Sequence, residues 1–92
     1  MGSNGFDEVF FRTKPAKMLV LLNSAGSKKY ASVIAKGVDC TYSHTVRILQ
    51  MFRKKGLVQF VKKGRLKEIM LTETGKKLAE LIEKAMKMLE SL

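Results

Sequence analysis

The chain has 92 residues, with 18 Lys or Arg against 8 Asp or Glu and a formal net charge of +10. That length holds one small domain, and 46% hydrophobic residues can give it a core, which excludes a disordered basic tail. A single Cys and a single His exclude an internal disulfide and a closed zinc cage within one chain, so neither a cofactor nor a metal is expected.

Residues 1–11 read as an N-terminal arm. Within it, Glu8-Val9-Phe10-Phe11 runs on to Arg12 as a short apolar stretch, either a strand or the start of a docking arm. Pro15 suits the first turn of a helix, where its missing N–H costs nothing. That helix is expected over Ala16 to Ser24, with Met18, Leu19, Leu21 and Leu22 facing a core and Gly26 as C-cap. Ser27 is the expected N-cap of a second helix, in which Ala31, Ile34, Ala35 and Val38 fall on one stripe. After a turn at Asp39-Cys40, Thr41 caps a third helix running to about Lys55. Thr45, Ile48, Leu49 and Phe52 form its inner stripe, and Gly56 ends it. Leu57 to Val61 reads as a strand, Lys62-Lys63-Gly64-Arg65 as a hairpin tip, and Leu66 to Leu71 as the returning strand. Thr72 caps a last helix running to about Leu89.

Four fragments in this order resemble the winged helix-turn-helix of MarR-like and ArsR-like regulators of bacteria and archaea. Ala35-Lys36-Gly37-Val38-Asp39-Cys40 resembles the helix-turn-helix bend, and Thr45 and Ile48 hold the inward positions of the helix that follows. Phe52-Arg53-Lys54-Lys55-Gly56-Leu57-Val58 resembles the exit into the wing, and Leu71-Thr72-Glu73-Thr74-Gly75-Lys76-Lys77-Leu78 the lead-in to the final helix. Three positions depart from the pattern. Asp39 stands at a turn usually held by Gly, a conformation Asp tolerates better than most residues. Cys40 replaces an aliphatic, and Thr45 replaces a Val whose methyl position its own methyl can fill. The resemblance implies a mainly helical fold with a small β-hairpin: a three-helix core, a two-stranded wing and a long C-terminal helix. It also implies a DNA-binding domain over 12–71 and a dimerisation helix over 72–92.

The charge is unevenly distributed. Residues 12–67 hold fourteen Lys/Arg and one acid, Asp39, for a net +13. Residues 1–11 carry −2 and residues 68–92 carry −1. A basic block beside a balanced helix points to a polyanion on one side and protein on the other. A helix fits the major groove with its N-terminal part at the base edges. Tyr42, Ser43, His44, Val46, Arg47 and Gln50 are therefore the expected base readers. Lys28, Lys29, Lys36, Lys54 and Lys55, with Lys62, Lys63, Arg65 and Lys67 on the wing, are the expected backbone contacts. Plainer readings stand beside these: Tyr42 packs on the second helix, His44 is a polar helix-start residue, and Arg47 is a solvated face residue. Cys40 and His44, four apart with Asp39 adjacent, offer too few ligands for a metal, and Cys40 reads as a small packed hydrophobe.

In the last helix, Lys76/Glu80, Glu80/Lys84 and Glu83/Lys87 stand at i,i+4. Its apolar positions, Leu78, Leu81, Ile82, Ala85, Met88, Leu89 and Leu92, form a band wider than one small domain needs. A second copy is the expected cover, joined by Phe6, Phe10 and Phe11; the other reading folds the helix over its own domain. The longest apolar run, Met18 to Leu22, is far short of the roughly 20 residues that cross a bilayer. No membrane partner is expected, and without a charged-then-apolar leader a cytoplasmic location is. The functional expectation is a homodimeric, sequence-specific double-stranded DNA-binding regulator, with repression as the default mode and the effector left open. The alternative is a winged-helix protein-interaction module in a larger nucleic-acid complex. An enzyme is not expected, because metal-dependent nucleases need clustered carboxylates and residues 12–67 hold one acid.

Overall fold

The computed structural model describes residues 14–24 and 29–92. In chain order it contains α1 (Lys14–Leu22), α2 (Ala31–Gly37), α3 (Tyr42–Lys54), β1 (Val58–Lys63), β2 (Leu66–Leu71) and α4 (Glu73–Glu90). This is the expected mainly helical winged helix-turn-helix. The N-terminal arm with Phe6, Phe10 and Phe11, the Gly26 cap, and Ser27 and Lys28 lie outside the described residues.

One core joins every element. Met18, Leu19 and Leu22 come from α1, Ile34 from α2 and Val38 from the turn that follows. Ile48, Leu49 and Phe52 come from α3, Val58 and Ile69 from the hairpin, and Ala79 from α4. Three of the four residues on the expected α2 stripe, and all four on the α3 stripe, are buried. Thr45 sits fully inside, and its hydroxyl donates to the Thr41 carbonyl at 2.8 Å. A threonine can therefore stand where an aliphatic packs, because its one polar group is satisfied within its own helix.

Helix α1 starts two residues before the expected Ala16, so Pro15 lies inside its first turn. Lys14 Nζ donates to the Val38 carbonyl at 2.9 Å, meeting one of the carbonyls a helix end leaves unpaired. Helix α2 starts later than a Ser27 cap would place it. Its N-cap position is Tyr30, with extended backbone and no side-chain cap bond. The cause is tertiary: the Lys29 carbonyl accepts from the Ile69 amide at 2.8 Å. Lys29 is thus tied to the edge of β2, and the helix begins only after that tie.

The bend between α2 and α3 follows the expected chemistry. Asp39 has φ +56°, the one non-glycine residue with positive φ among the described residues. The Cys40 amide closes back on the Ala35 carbonyl at 2.9 Å, and Cys40 is half-buried against the core. Thr41 Oγ1 accepts from the His44 amide at 3.2 Å, the N-cap bond that starts α3.

The hairpin is longer than expected. Strand β1 continues through Lys63, and the register runs from Val58↔Leu71 to Lys63↔Leu66. The turn is therefore Gly64-Arg65 alone, and Lys62 and Lys63 belong to the strand. Gly64 leads it with φ +63°, as a glycine-first two-residue hairpin turn requires. At the far end Thr72 locks the wing to α4. Its hydroxyl donates to the Gly56 carbonyl at 2.6 Å and accepts from the Gly75 amide at 3.1 Å, while its amide donates to the Leu57 carbonyl at 3.0 Å. A Cβ at Gly75 would collide with that same Leu57 carbonyl, so the glycine lets α4 start directly against the exit of α3.

Candidate nucleic-acid interface

The interface starts from the split personality of α3. Its inner stripe is buried, which fixes the rotation of the helix and turns Ser43, Arg47, Gln50 and Lys54 outward. Its first turn carries Tyr42, Ser43 and His44, all exposed. This end also presents free backbone amides and the positive end of the helix dipole, both of which favour phosphate. Four of the expected base readers border two adjoining hollows. Tyr42, Val46 and Gln50 line a cleft toward the wing, and Arg47, Gln50 and Lys54 border a second hollow with Met51 and Arg53. Gln50 lies between the two. Val46 is half-buried, so less of it is open to a base edge than of its exposed neighbours.

The backbone candidates fall into three groups. Lys62, Lys63, Arg65 and Lys67 are exposed on the hairpin, where they form one basic projection. Within it Lys62 and Lys67 are direct cross-strand partners. Like charges placed opposite each other destabilise a strand pair, and a polyanion laid across them reverses that sign. Lys54, at the end of α3, and Lys55, its C-cap, are exposed; there cations also complement the negative end of the helix dipole. Lys36 is exposed on α2, and Lys29 is half-buried beside β2.

Three contributors carry no local sequence signal. The Arg53 guanidinium lies 5.3 Å from the centre of the Phe60 ring, tying the end of α3 to the wing. Lys14 reaches the α2 bend across the core, and Tyr30 lines the cleft from the start of α2. Each is a contact between residues distant in the chain, so spacing along the sequence does not report it. Among the described residues no three His, Cys, Asp or Glu side chains converge as a metal-binding group.

The expected dimer residues on α4 divide by face. Gly75 and Ala79 are buried, and Ile82 packs on the core. Ala85 and Leu89 are half-buried, and Leu78 is at the edge of exposure. Leu81 and Met88 are 63% and 68% exposed, and Leu92 beyond them is 82% exposed. Of the three charge pairs expected along the helix, Glu83 and Lys87 meet at 3.8 Å. Among the described residues no helix is long and apolar enough to cross a membrane.

No protein-family model matches the chain, and no curated protein matches it by sequence. Solved structures do match. AF1382 from Archaeoglobus fulgidus superposes with a TM-score of 0.83 at 27% identity, over 90% of this chain and 94% of that one. MepR of Staphylococcus aureus, a transcription regulator of the multidrug efflux pump MepA, gives 0.77 at 25% identity. The match covers 91% of this chain and 64% of MepR, so this chain spans somewhat under two thirds of that regulator. A MepR variant bound to an oligodeoxyribonucleotide matches 92% of this chain and 66% of its own, with a TM-score of 0.75 at 21% identity. The MarR family transcriptional regulator SPO1453 from Silicibacter pomeroyi gives 0.79 at 20% identity, over 98% of this chain and 71% of that one. In its order of elements and its superposition, the chain has the winged helix-turn-helix fold of MarR-family transcription regulators, which it resembles over nearly its whole length.

Proposed function

We propose that the chain is a sequence-specific double-stranded DNA-binding transcription regulator. The observation that carries this reading is the placement of charge. The net +13 of residues 12–67 belongs to the segment that holds α1, the helix-turn-helix and the wing, and exposed Arg47 and Gln50 stand on α3 between the cations of the wing and those at its own C-terminal end. In this reading α3 enters the major groove, where Arg47 pairs with guanine and Gln50 with adenine. Ser43, His44 and Tyr42 meet the groove from the first turn, and Val46 meets a thymine methyl. Lys62, Lys63, Arg65 and Lys67 hold the backbone or the adjacent minor groove, supported by Lys28, Lys29, Lys36, Lys54 and Lys55. The likeness to MepR, one variant of which was solved on an oligodeoxyribonucleotide, supports this assignment.

The proposal extends to a homodimer built on α4, with exposed Leu81 and Met88 at its centre, Leu78, Ala85 and Leu89 beside them, Ile82 at the edge where the helix meets its own core, and Phe10 and Phe11 of the arm. Two-fold symmetry would set the reading helices about 34–36 Å apart, on successive major grooves. Repression by occupying a pseudo-palindromic site is the simplest output of such a dimer, and its place of action is the cytoplasm.

The test is duplex binding across a salt series. Several phosphate contacts release counterions, so log K must fall steeply with log salt. A slope near zero sinks the DNA reading and leaves the exposed α3 face to a protein partner.

A further inference from the structure

Between α3 and the hairpin lies an open cleft of about 400 Å³, within the roughly 300–1,000 Å³ typical of small-ligand sites. Both tyrosines of the chain, Tyr30 and Tyr42, line it together with Phe60. Arg65 and Lys67 stand on its wing side and Gln50 on its helix side, and no carboxylate is among its described lining residues. Tyr42 is 61% exposed, so its ring is available to a partner. The duplex reading uses Tyr42, Val46, Gln50, Arg65 and Lys67 of this lining but gives Tyr30 and Phe60 no role. Paired bases offer edges while their faces stay stacked, so a duplex presents no free aromatic face to these rings. Cations around an aromatic interior, with one amide, complement an anion that carries an aromatic body.

We infer that the cleft seats one unpaired nucleotide of a DNA strand. The base stacks against Tyr42 and Tyr30 beside Phe60, Gln50 meets its edge, and the flanking phosphates lie on Arg65 and Lys67. Aromatic stacking with a basic track is how proteins hold single strands without reading a duplex. The Arg53 guanidinium, 5.3 Å from the Phe60 ring centre, favours this position of the ring at the cleft wall. The occupant is a strand segment at a gap, bulge or melted site. This binding mode goes beyond the duplex reading and does not depend on it.

The chain has no tryptophan, so its intrinsic emission comes from the two tyrosines that line the cleft. The experiment titrates the protein with a short mixed-sequence single strand and with an abasic strand of equal length and charge, at one salt concentration. The base-bearing strand is expected to quench tyrosine emission and to bind at least about fivefold tighter than the abasic strand. Tyr42→Ala should abolish that difference and Tyr42→Phe should keep it. Equal affinity for the two strands of the unaltered protein overturns the inference, whatever the variants do. So does a base preference that survives in a folded Tyr42→Ala protein. Quenching by a free deoxynucleoside monophosphate without base-dependent strand binding assigns the cleft to a small molecule and also overturns it. Duplex affinity, read separately in the salt series, is not decided by any of these outcomes.

Discussion

Helices α3 and α4 are both amphipathic, yet they meet their apolar demand differently. Helix α3 buries Thr45, Ile48, Leu49 and Phe52 inside one chain, and what remains outside is largely polar and cationic. Helix α4 buries Gly75 and Ala79 and leaves Leu81 and Met88 in the open. Charge divides the same way, with the excess in residues 12–67 and near balance in residues 68–92. A helix whose hydrophobic side is satisfied is free to present chemistry to a polar partner. A helix whose hydrophobic side is not satisfied calls for apolar cover. The two helices therefore suit different partners, and Thr72 and Gly75 are the point where they are joined.

The largest expected effect tests the satisfied side. Leu49 is 1% exposed, and Leu49→Ala should cost about 2–5 kcal/mol in denaturant unfolding. A loss under about 1 kcal/mol would mean that α3 is not the centre of the core. At the junction, Gly75→Ala forces a methyl against the Leu57 carbonyl, which a backbone cannot easily yield. A cost of roughly 1–3 kcal/mol or more is expected in thermal unfolding. Unchanged stability there would show that α4 and the wing are not tightly joined.

On the exposed face of α3, Arg47→Ala should flatten base preference by about 1–3 kcal/mol at one position. Lys63→Ala should weaken all duplexes alike and reduce the salt slope by about 1. If the two variants behave the same in a binding-site selection, the division between reader and clamp is wrong. On the exposed face of α4, Leu81→Glu should convert a dimer to a monomer in sedimentation at micromolar concentration while the circular dichroism of the monomer stays helical. A monomeric parent protein under those conditions removes the dimer role of α4. The smallest expected effect is Asp39→Gly. Relief of the positive φ should raise stability by roughly 0.5–1 kcal/mol, and a loss instead would show that the Asp39 side chain holds the bend.

The sequence was most legible where the cause is local. Thr41 and Thr72 were readable as caps because an N-cap bond spans three residues, and both bonds form. The inner stripe of α3 was readable because helical periodicity alone sorts its residues by face. The start of α2 was not readable, because Lys29 is held by Ile69, forty residues on. The turn starts at Gly64 and not at the expected Lys62, since strand length is set by the partner strand and Lys62 still pairs with Lys67. For the candidate interface, the cationic wing and the first turn of α3 were visible as residue types. The grouping of Arg47, Gln50 and Lys54 at a second hollow, and the joining of Tyr30, Tyr42 and Phe60 at the first, were not.

By itself, then, the sequence determined the elements, the caps at Thr41 and Thr72, the positive-φ bend at Asp39 and the segment that carries the charge. These depend on steric preferences, short hydrogen bonds and periodicity over a few residues. Only the tertiary structure decided why Gly75 must be glycine, where α2 begins, which ring Arg53 covers and which aromatics share a cleft. Those depend on backbone and side chains brought together from distant parts of the chain, and such proximity is a property of the packed core rather than of any segment.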